Sequence, residues 1–501
     1  MNETLLQILS AIPVSLRGLF PEMLVASAIC LGLILDWTTS TDDKRLVVWF
    51  SAIAAFAGIL LCWVVGVPRP GLLVGGTYVP DAISQFVRLF SLTAAFLALL
   101  ALNGSRAMHR RAELGESALL ILSVALGAML LASARHMVAM YIGLEFLSLS
   151  SYGLAGFRAR DPRASEAGIR YVLYGAVASA VAVFGISHLW GITGTFDAMD
   201  IGARLVSTPS PAAVAAVLLV AAAFAFKLGL VPFHFWSPDV YQGCPTVAAG
   251  FLSTVPKSAG FAALLHILPA LLPVALPGMA PGKVATGIVA MAVLSMVVGS
   301  ATAMVQKDAK RLLAFSSTAN SGIMLLAAST WITLDAVSAL GLYLIAYLVA
   351  NLGAFLALDI LSGDADTSLA NLNGSWKRRP RVVAALVICV ASLAGIPPLA
   401  GFAGKWALLS EVVRTATEDG FGPVLVLGVA VALAASVALA AAYLRLLRAT
   451  VIDEDTAGVV HTHVPPAFLA EVPLLLCAGA SVVLGAGFPL LAVFHSCLVG
   501  G

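Results

Sequence analysis

The sequence predicts an all-α integral membrane protein of about fourteen transmembrane helices. It further predicts two inverted five-helix repeats, with breaks in the seventh and twelfth helices. Three observations lead there. The 501 residues are 60% hydrophobic and only 11% charged, with a mean hydropathy of +0.99. A soluble chain carries about 25% charged residues, so lipid must be the solvent for most of this surface. Apolar runs near helix-spanning length recur along the whole chain, and two of them, five runs apart, are interrupted by Gly and Pro.

Backbone at membrane depth must satisfy its own hydrogen bonds. None of the runs alternates like a barrel strand, so each is expected to be a helix. Spans one to three, 18–36, 46–67 and 83–103, belong to an N-terminal segment, 1–116. Spans four to eight, 117–134, 137–157, 167–190, 212–231 and 245–268, make a first repeat, 117–268. Spans nine to thirteen, 284–305, 309–330, 333–361, 382–409 and 422–444, make a second, 284–448. Span fourteen, 467–494, lies in a C-terminal part, 449–501. Because five is odd, the two repeats are related by inversion.

The formal net charge of +2 says nothing about partners, but its placement does. With the N-terminus outside, basic residues crowd the inner loops, among them Arg110, Arg111, Lys310, Arg311, Lys377 and Arg378. The outer loops and their edges hold fewer, Arg69, Arg88, Arg135 and Arg204 among them, which orients the chain by the positive-inside rule. Both termini are then outside. The stretch MNETLLQILSAIP lacks the basic region of a cleaved signal. The six cysteines are scattered with no C-x-x-C, which argues against an iron–sulfur or structural zinc site. His461 and His463 read as a solvated loop.

Lys227, Lys257 and Lys405 fit neither side, and Glu145 joins them inside HMVAMYIGLEFLSLSSYGLAGF. A charge at a helix centre costs about 2.5–3.5 kcal/mol on insertion scales, so such residues point to function. Snorkelling near helix ends and static ion pairs, Glu145–Lys227 among them, are the structural alternatives. A dozen residues precede Lys257 in its span, and the stem of Glu145 is too short to reach water. Helix breaks flank two of the lysines. FKLGLVPFHFWSPDVYQG places Gly229 and Pro232 just after Lys227, and LAGIPPLAGFAGKWALL places Gly395, Pro397 and Pro398 before Lys405. Proline removes a donor and disrupts the preceding turn. Interrupted helices at corresponding positions of two halves mark a transport site. Of the remaining groups, His234 either feeds Lys227 from the inner surface or is interfacial. His266 either bridges Lys257 and the membrane centre or lies near the outer interface. Lys307, Lys310 and Arg311 read as inner-surface anchors, and Tyr171 and Tyr174 as packing residues.

FKLGLVPFHFWSPDVYQG, MYIGLEFLSLSSYGLAGF and KRLLAFSSTANSG closely resemble the antiporter-like membrane subunits of respiratory complex I (NADH-quinone oxidoreductase). The resemblance covers essentially the whole chain and is closest to the subunit N type. The sister subunit M reads like PLHTWLPDAH in the loop and carries a glutamate at Lys405, and subunit L adds a lateral helix. The resemblance implies fourteen helices, two inverted repeats, and proton translocation coupled to quinone reduction. It implies a polar axis of Glu145, Lys227, Lys257 and Lys405. It also implies no redox centre in this chain, with FMN, iron–sulfur clusters and quinone held by other subunits. The implied partners are other membrane-arm subunits, including antiporter-like neighbours, and the lipid bilayer, with no nucleic acid. A bacterial inner membrane fits the Ala- and Arg-rich composition.

Two positions depart from the family. Asn320 stands in SSTANSGI where the family reads like SSIAHxGY, so a titrating histidine is missing from span ten. Pro256 precedes Lys257 and disfavours helical geometry at Val255, predicting a kink in span eight. Two other readings remain at this level: a subunit of a multi-subunit sodium/proton antiporter or membrane-bound hydrogenase-type complex, and a scaffold with static ion pairs.

In the expected mechanism, a buried ammonium loses affinity for its proton and a nearby carboxylate restores it. At an effective dielectric constant near 20, charges about 4 Å apart interact by about 4 kcal/mol. Moving Glu145 away from Lys227 would therefore be enough to send a proton on to Lys257, with Lys405 as the outward exit.

Overall fold

Each of the fourteen expected spans coincides with one helix or, for spans eight and twelve, with two in the computed structural model. It describes residues 18–39, 44–66, 76–105, 113–158, 161–207, 210–275, 281–329, 334–363, 366–418, 422–454 and 468–499. The N-terminal stretch before 18, His461 and His463 lie outside the described residues. Among the described residues, twelve helices are long and apolar enough to cross a membrane. Spans ten and twelve fall short of that measure for different reasons. Span ten, Ala309–Ala328, is a full-length helix made polar by its serines and Asn320, and every residue from Leu312 to Ala327 is buried. A helix that never meets lipid needs no apolar exterior. Span twelve is divided into Pro380–Ala394 and Ala400–Glu418 by a turn at Gly395, whose φ of 87° is open to glycine at little strain.

Local signals explain the helix ends. Span six runs Pro162–Thr193, starting with proline at its first position and an Asp161 side chain that accepts from the Arg163 amide. It stops at Gly194 in the left-handed conformation. Span seven, Pro211–Leu228, ends the same way at Gly229, φ 67°. Span eight is interrupted, as Thr246–Leu252 and Val255–Ala275. The bend expected at Val255 falls just before it, at Ser253 and Thr254. Pro256 becomes the second residue of the following helix, where its missing N–H costs nothing.

Contacts divide the chain into two units. The first comprises Met1–Leu99, Arg110–Leu228 and Val255–Val284; the second comprises Leu100–His109, Gly229–Thr254 and Ala285–Gly501. In the first, the loops after spans two, four and six are stitched together. Val79 donates its N–H to the Ser133 carbonyl at 2.8 Å, and Met137 donates to Phe196 at 2.8 Å. The end of span one meets the start of span four through Asp36 against Gly115, beside the Lys44–Asp36 pair.

The second unit repeats this logic. Asp308 pairs with Ser368 as an isolated bridge, the Gly374 amide donates to the Asp453 carbonyl at 2.8 Å, and Lys310 donates to the Cys244 carbonyl at 3.0 Å. The loops after spans seven, nine, eleven and thirteen therefore share one end. Arg414 meets Asp335 at 3.5 Å, joining the end of span twelve to the start of span eleven, Leu334–Ser362. Spans ten and twelve are thus full crossings despite their composition. Span eleven is the hub, packing against both halves of span twelve, span fourteen and the short helix Thr246–Leu252.

Arg88, read from the sequence as an outer-edge cation, is instead fully buried seven residues into span three, Ala82–Gly104. Its Nε meets Glu22 at 2.6 Å and its Nη2 donates to the Gly18 carbonyl at 2.9 Å. Adjacent helices approach through glycine. Spans four and five, Leu114–Ser133 and Met137–Ala155, touch reciprocally at Gly127 against Leu147 and Gly143 against Leu131. A Cβ on Gly143 would meet the Leu131 amide nitrogen at 2.8 Å and its Cα at 2.9 Å. Backbone cannot swing aside as a side chain can. Gly143→Ala is therefore expected to destabilise the protein by about 1–3 kcal/mol, seen as a lower Tm in detergent. An unchanged Tm would show that the two helices separate freely.

Candidate functional site

Span five carries Tyr141, Glu145, Ser148 and Tyr152 at intervals of four, three and four residues. At 3.6 residues per turn these share one helix face. Span six places Ser179, Gly175 and Tyr171 against that face, and span seven supplies Lys227. The ring of Tyr152 occupies the space a Cβ on Gly175 would need.

Lys227 is 1% exposed, so it does not snorkel. Its ammonium donates to Ser148 Oγ at 3.1 Å and lies 5.9 Å from the centroid of the Tyr171 ring. That is near the outer limit for a cation–π contact. Tyr171 therefore packs, as expected, but it packs on the cation. Glu145 Oε1 accepts from Ser179 Oγ, and the Tyr141 hydroxyl is 3.1 Å from the same serine. Among the described contacts the carboxylate and the ammonium each meet a serine, not one another. Glu145, Ser148, Ser179 and Lys227 line one cavity of about 10 Å³, roughly the minimum that holds a water. Glu145 is half-buried, and its neighbours Ile142 and Leu149 are exposed.

Lys257 is also buried, at 3%, as the third residue of Val255–Ala275. Nine residues on, about 13 Å along the helix, His266 Nε2 is 2.8 Å from Asp81 Oδ2. Burial opposes the charge on Asp81. The hydrogen bond and charge of His266, with the Ser84 amide and hydroxyl, nevertheless hold its carboxyl below the usual value. His234 belongs to the second unit, buried with its ring near Phe235 and Phe315. Burial pushes its imidazole below the usual value.

Lys405, 6% exposed, folds back over Gly395 and donates to the Leu393 carbonyl at 2.8 Å, with Ala394 at 3.4 Å. These carbonyls are left open at the C-terminus of Pro380–Ala394, the negative end of its dipole. The helix break therefore supplies the lysine's partners. Arg311 and Lys310, read as surface anchors, tie span ten to the loop after span seven, through Asp239 at 2.6 Å and the Cys244 carbonyl.

The structure thus brings Glu145 and Lys227 to one cavity, gives His266 an acidic partner, and sets Lys405 on free carbonyls. Sequence reasoning missed Ser148, Ser179 and Asp81. The first was legible in the spacing of Tyr141, Glu145, Ser148 and Tyr152. The other two come from distant segments and left no local signal.

Residues 134–429 match the family described as NADH:quinone oxidoreductase/Mrp antiporter, TM. The chain is 34% identical to NADH-quinone oxidoreductase subunit N of Anaeromyxobacter sp. (strain Fw109-5), over 95% of this chain and 92% of that protein. A chain in the structure of respiratory complex I from Thermus thermophilus with bound aureothin superposes with a TM-score of 0.76. It shares 31% identity, over 94% of this chain and 98% of that one. A chain of the Mrp complex from Dietzia sp. DQ12-45-1b shares the fold, with a TM-score of 0.76 at 20% identity and 95% coverage of each.

Proposed function

This chain belongs to the family of NADH-quinone oxidoreductase subunit N, within the wider NADH:quinone oxidoreductase/Mrp antiporter membrane family, and from that premise we propose that it is a proton-translocating membrane-arm subunit of an NADH:quinone oxidoreductase. The observation that carries the reading is the Glu145–Lys227 cavity. A wholly buried ammonium sits on a hydroxyl rather than on its carboxylate, with room for one water. A locked ion pair would close that gap, whereas a proton carrier needs it open.

In this reading Lys227 holds its proton while Glu145 is charged and near. The half-exposed side of Glu145 faces a neighbouring membrane-arm subunit, since a carboxylate turned to lipid is costly. A charge change in that neighbour draws Glu145 off, and the Lys227 proton passes to Lys257 and on towards Lys405. His234 feeds the path from the end that carries Lys310, Arg311 and Arg378, which the positive-inside rule makes the inner side. His266, paired with Asp81, is the next titratable group beyond Lys257 on its own helix. Electrons stay in the remaining subunits, where FMN, iron–sulfur clusters and quinone are held. The membrane is the bacterial inner membrane, with both termini on its outer side.

Glu145→Gln tests the coupling, because the amide keeps the shape and loses the charge. In membrane vesicles with the variant incorporated in the complex, NADH-driven acidification is expected to fall by about tenfold or more, about 1.4 kcal/mol on the barrier. Undiminished acidification would overturn the proposal. Acidification that depends on added sodium would favour the antiporter reading instead.

A further inference from the structure

At the end of the second unit that carries Lys310 and Arg311, two segments gather cations that the lysine axis does not use. The loop into span twelve reads SWKRRPR, Ser375–Arg381, with four basic residues and no acid. Span thirteen, Gly422–Val451, adds Arg445 and Arg448 near its end. The two segments are held together. The Gly374 amide donates to the Asp453 carbonyl at 2.8 Å, and the short helix Ser375–Arg378 packs on span thirteen. Lys377 meets Glu454 at 3.0 Å, and Arg448 meets Asp453 at 3.2 Å. Because the two carboxylates are adjacent in the sequence, the ammonium and the guanidinium converge on one place.

Both heads face outward: the side chains of Lys377 and Arg448 are 74% and 72% exposed. Arg381, the second residue of the half-helix Pro380–Ala394, is exposed as well, and so is Trp376. Exposed ion pairs are weak, so these cations can exchange a carboxylate for a stronger acceptor. Below them span thirteen presents an apolar stripe. Leu433, Val437 and Leu444 are exposed, and with Arg448 they follow at intervals of four, seven and four residues, which is one helix face. The stripe is about 22 Å long at about 1.5 Å per residue, more than half of a hydrocarbon core about 30 Å thick. Arg445 reaches sideways from it to the Met304 carbonyl, near the exposed end of span nine, Pro281–Val305.

We propose that Lys377, Arg381 and Arg448, with the Trp376 indole, bind the phosphodiester of an anionic phospholipid whose acyl chain lies along span thirteen. An acidic protein loop would use the cations alone. The lipid uses all three features: phosphate on the cations, indole at headgroup level, and chain on the stripe. Arg448 offers a planar fork to two phosphate oxygens, and Lys377 adds a point charge on a flexible stem. Arg381 sets the headgroup beside the start of Pro380–Ala394, where the helix dipole also favours an anion. The lipid therefore anchors one end of the half-helix whose other end supplies the carbonyls that hold Lys405. This inference rests on the membrane family alone and does not require that the chain carries protons.

The test uses the assembled complex, purified in detergent and stripped of loosely held lipid. Phosphatidylglycerol with a photoreactive group on its acyl chain is added, and cross-linked peptides are mapped by mass spectrometry. Labelling is expected on span thirteen between residues 433 and 448, displaced by unlabelled phosphatidylglycerol and not by phosphatidylcholine. Lys377→Gln combined with Arg448→Gln is expected to cut it several-fold with unchanged subunit incorporation, and Arg448→Lys alone to cut it less. Undiminished labelling in the double variant overturns the proposal. Equal displacement by phosphatidylcholine overturns it too, since the face would then hold ordinary annular lipid. Displacement by glycerol phosphate alone would mark a site for free phosphate and reject the lipid. No labelling of span thirteen would also reject it and assign the face to a neighbouring subunit. None of these readouts depends on acidification, so failure here and failure of the proton reading are distinguishable.

Discussion

Lys227→Ala is expected to abolish NADH-driven acidification by the assembled complex and to lower NADH:quinone turnover with it, each by about tenfold or more. Among the described residues the ammonium is the only cation lining the Glu145 cavity, and it is wholly buried. Alanine removes the proton site and leaves the carboxylate opposite an apolar gap. Lys227→Arg sharpens the test. A guanidinium keeps the charge and does not give up its proton near neutral pH. A static structural cation would tolerate arginine in part, whereas a proton carrier would not. Loss of both activities in both variants, with the subunit present, means that proton movement here is obligatorily coupled to the redox reaction. Retention of both at the wild-type ratio means that Lys227 is structural.

The largest effect on stability is expected at Arg88 and Glu22, far from that cavity in the sequence. Both are buried, they meet at 2.6 Å, and Arg88 also holds the Gly18 carbonyl and approaches Gln85. Removing one partner strands the other charge without water. Arg88→Met is therefore expected to destabilise by about 3–5 kcal/mol, with less subunit accumulating in the membrane and an earlier thermal transition in detergent. Arg88→Met combined with Glu22→Leu should recover most of the loss, since paired apolar replacements are often neutral or better. A single variant as stable as wild type would show that water reaches the pair.

Much of the architecture was legible because the solvent imposes it. Lipid demands an apolar run of set length for a crossing, and spans one to nine, eleven, thirteen and fourteen can be read off that way. Span ten could be placed only approximately by hydropathy, because a helix enclosed by its neighbours carries serines and Asn320 without penalty. Span twelve was visible through its Gly and Pro residues, which act locally on the backbone. Arg88 was misplaced for the converse reason: an arginine in the second turn of a helix looks like an interfacial anchor until Glu22 is found against it.

By itself the sequence determined that this is a helical membrane protein, where two of its helices break, and that Lys227, Lys257 and Lys405 lie inside apolar runs, because each of these follows from composition and near-neighbour chemistry along the chain. Tertiary structure alone decided what those groups touch: Ser148 under Lys227, Ser179 on Glu145, Asp81 on His266, and Tyr443 beside Asn320. Each pairing joins residues tens to more than a hundred positions apart. Such partners are chosen by the packing of whole helices, which leaves no mark in the residues adjacent to either one.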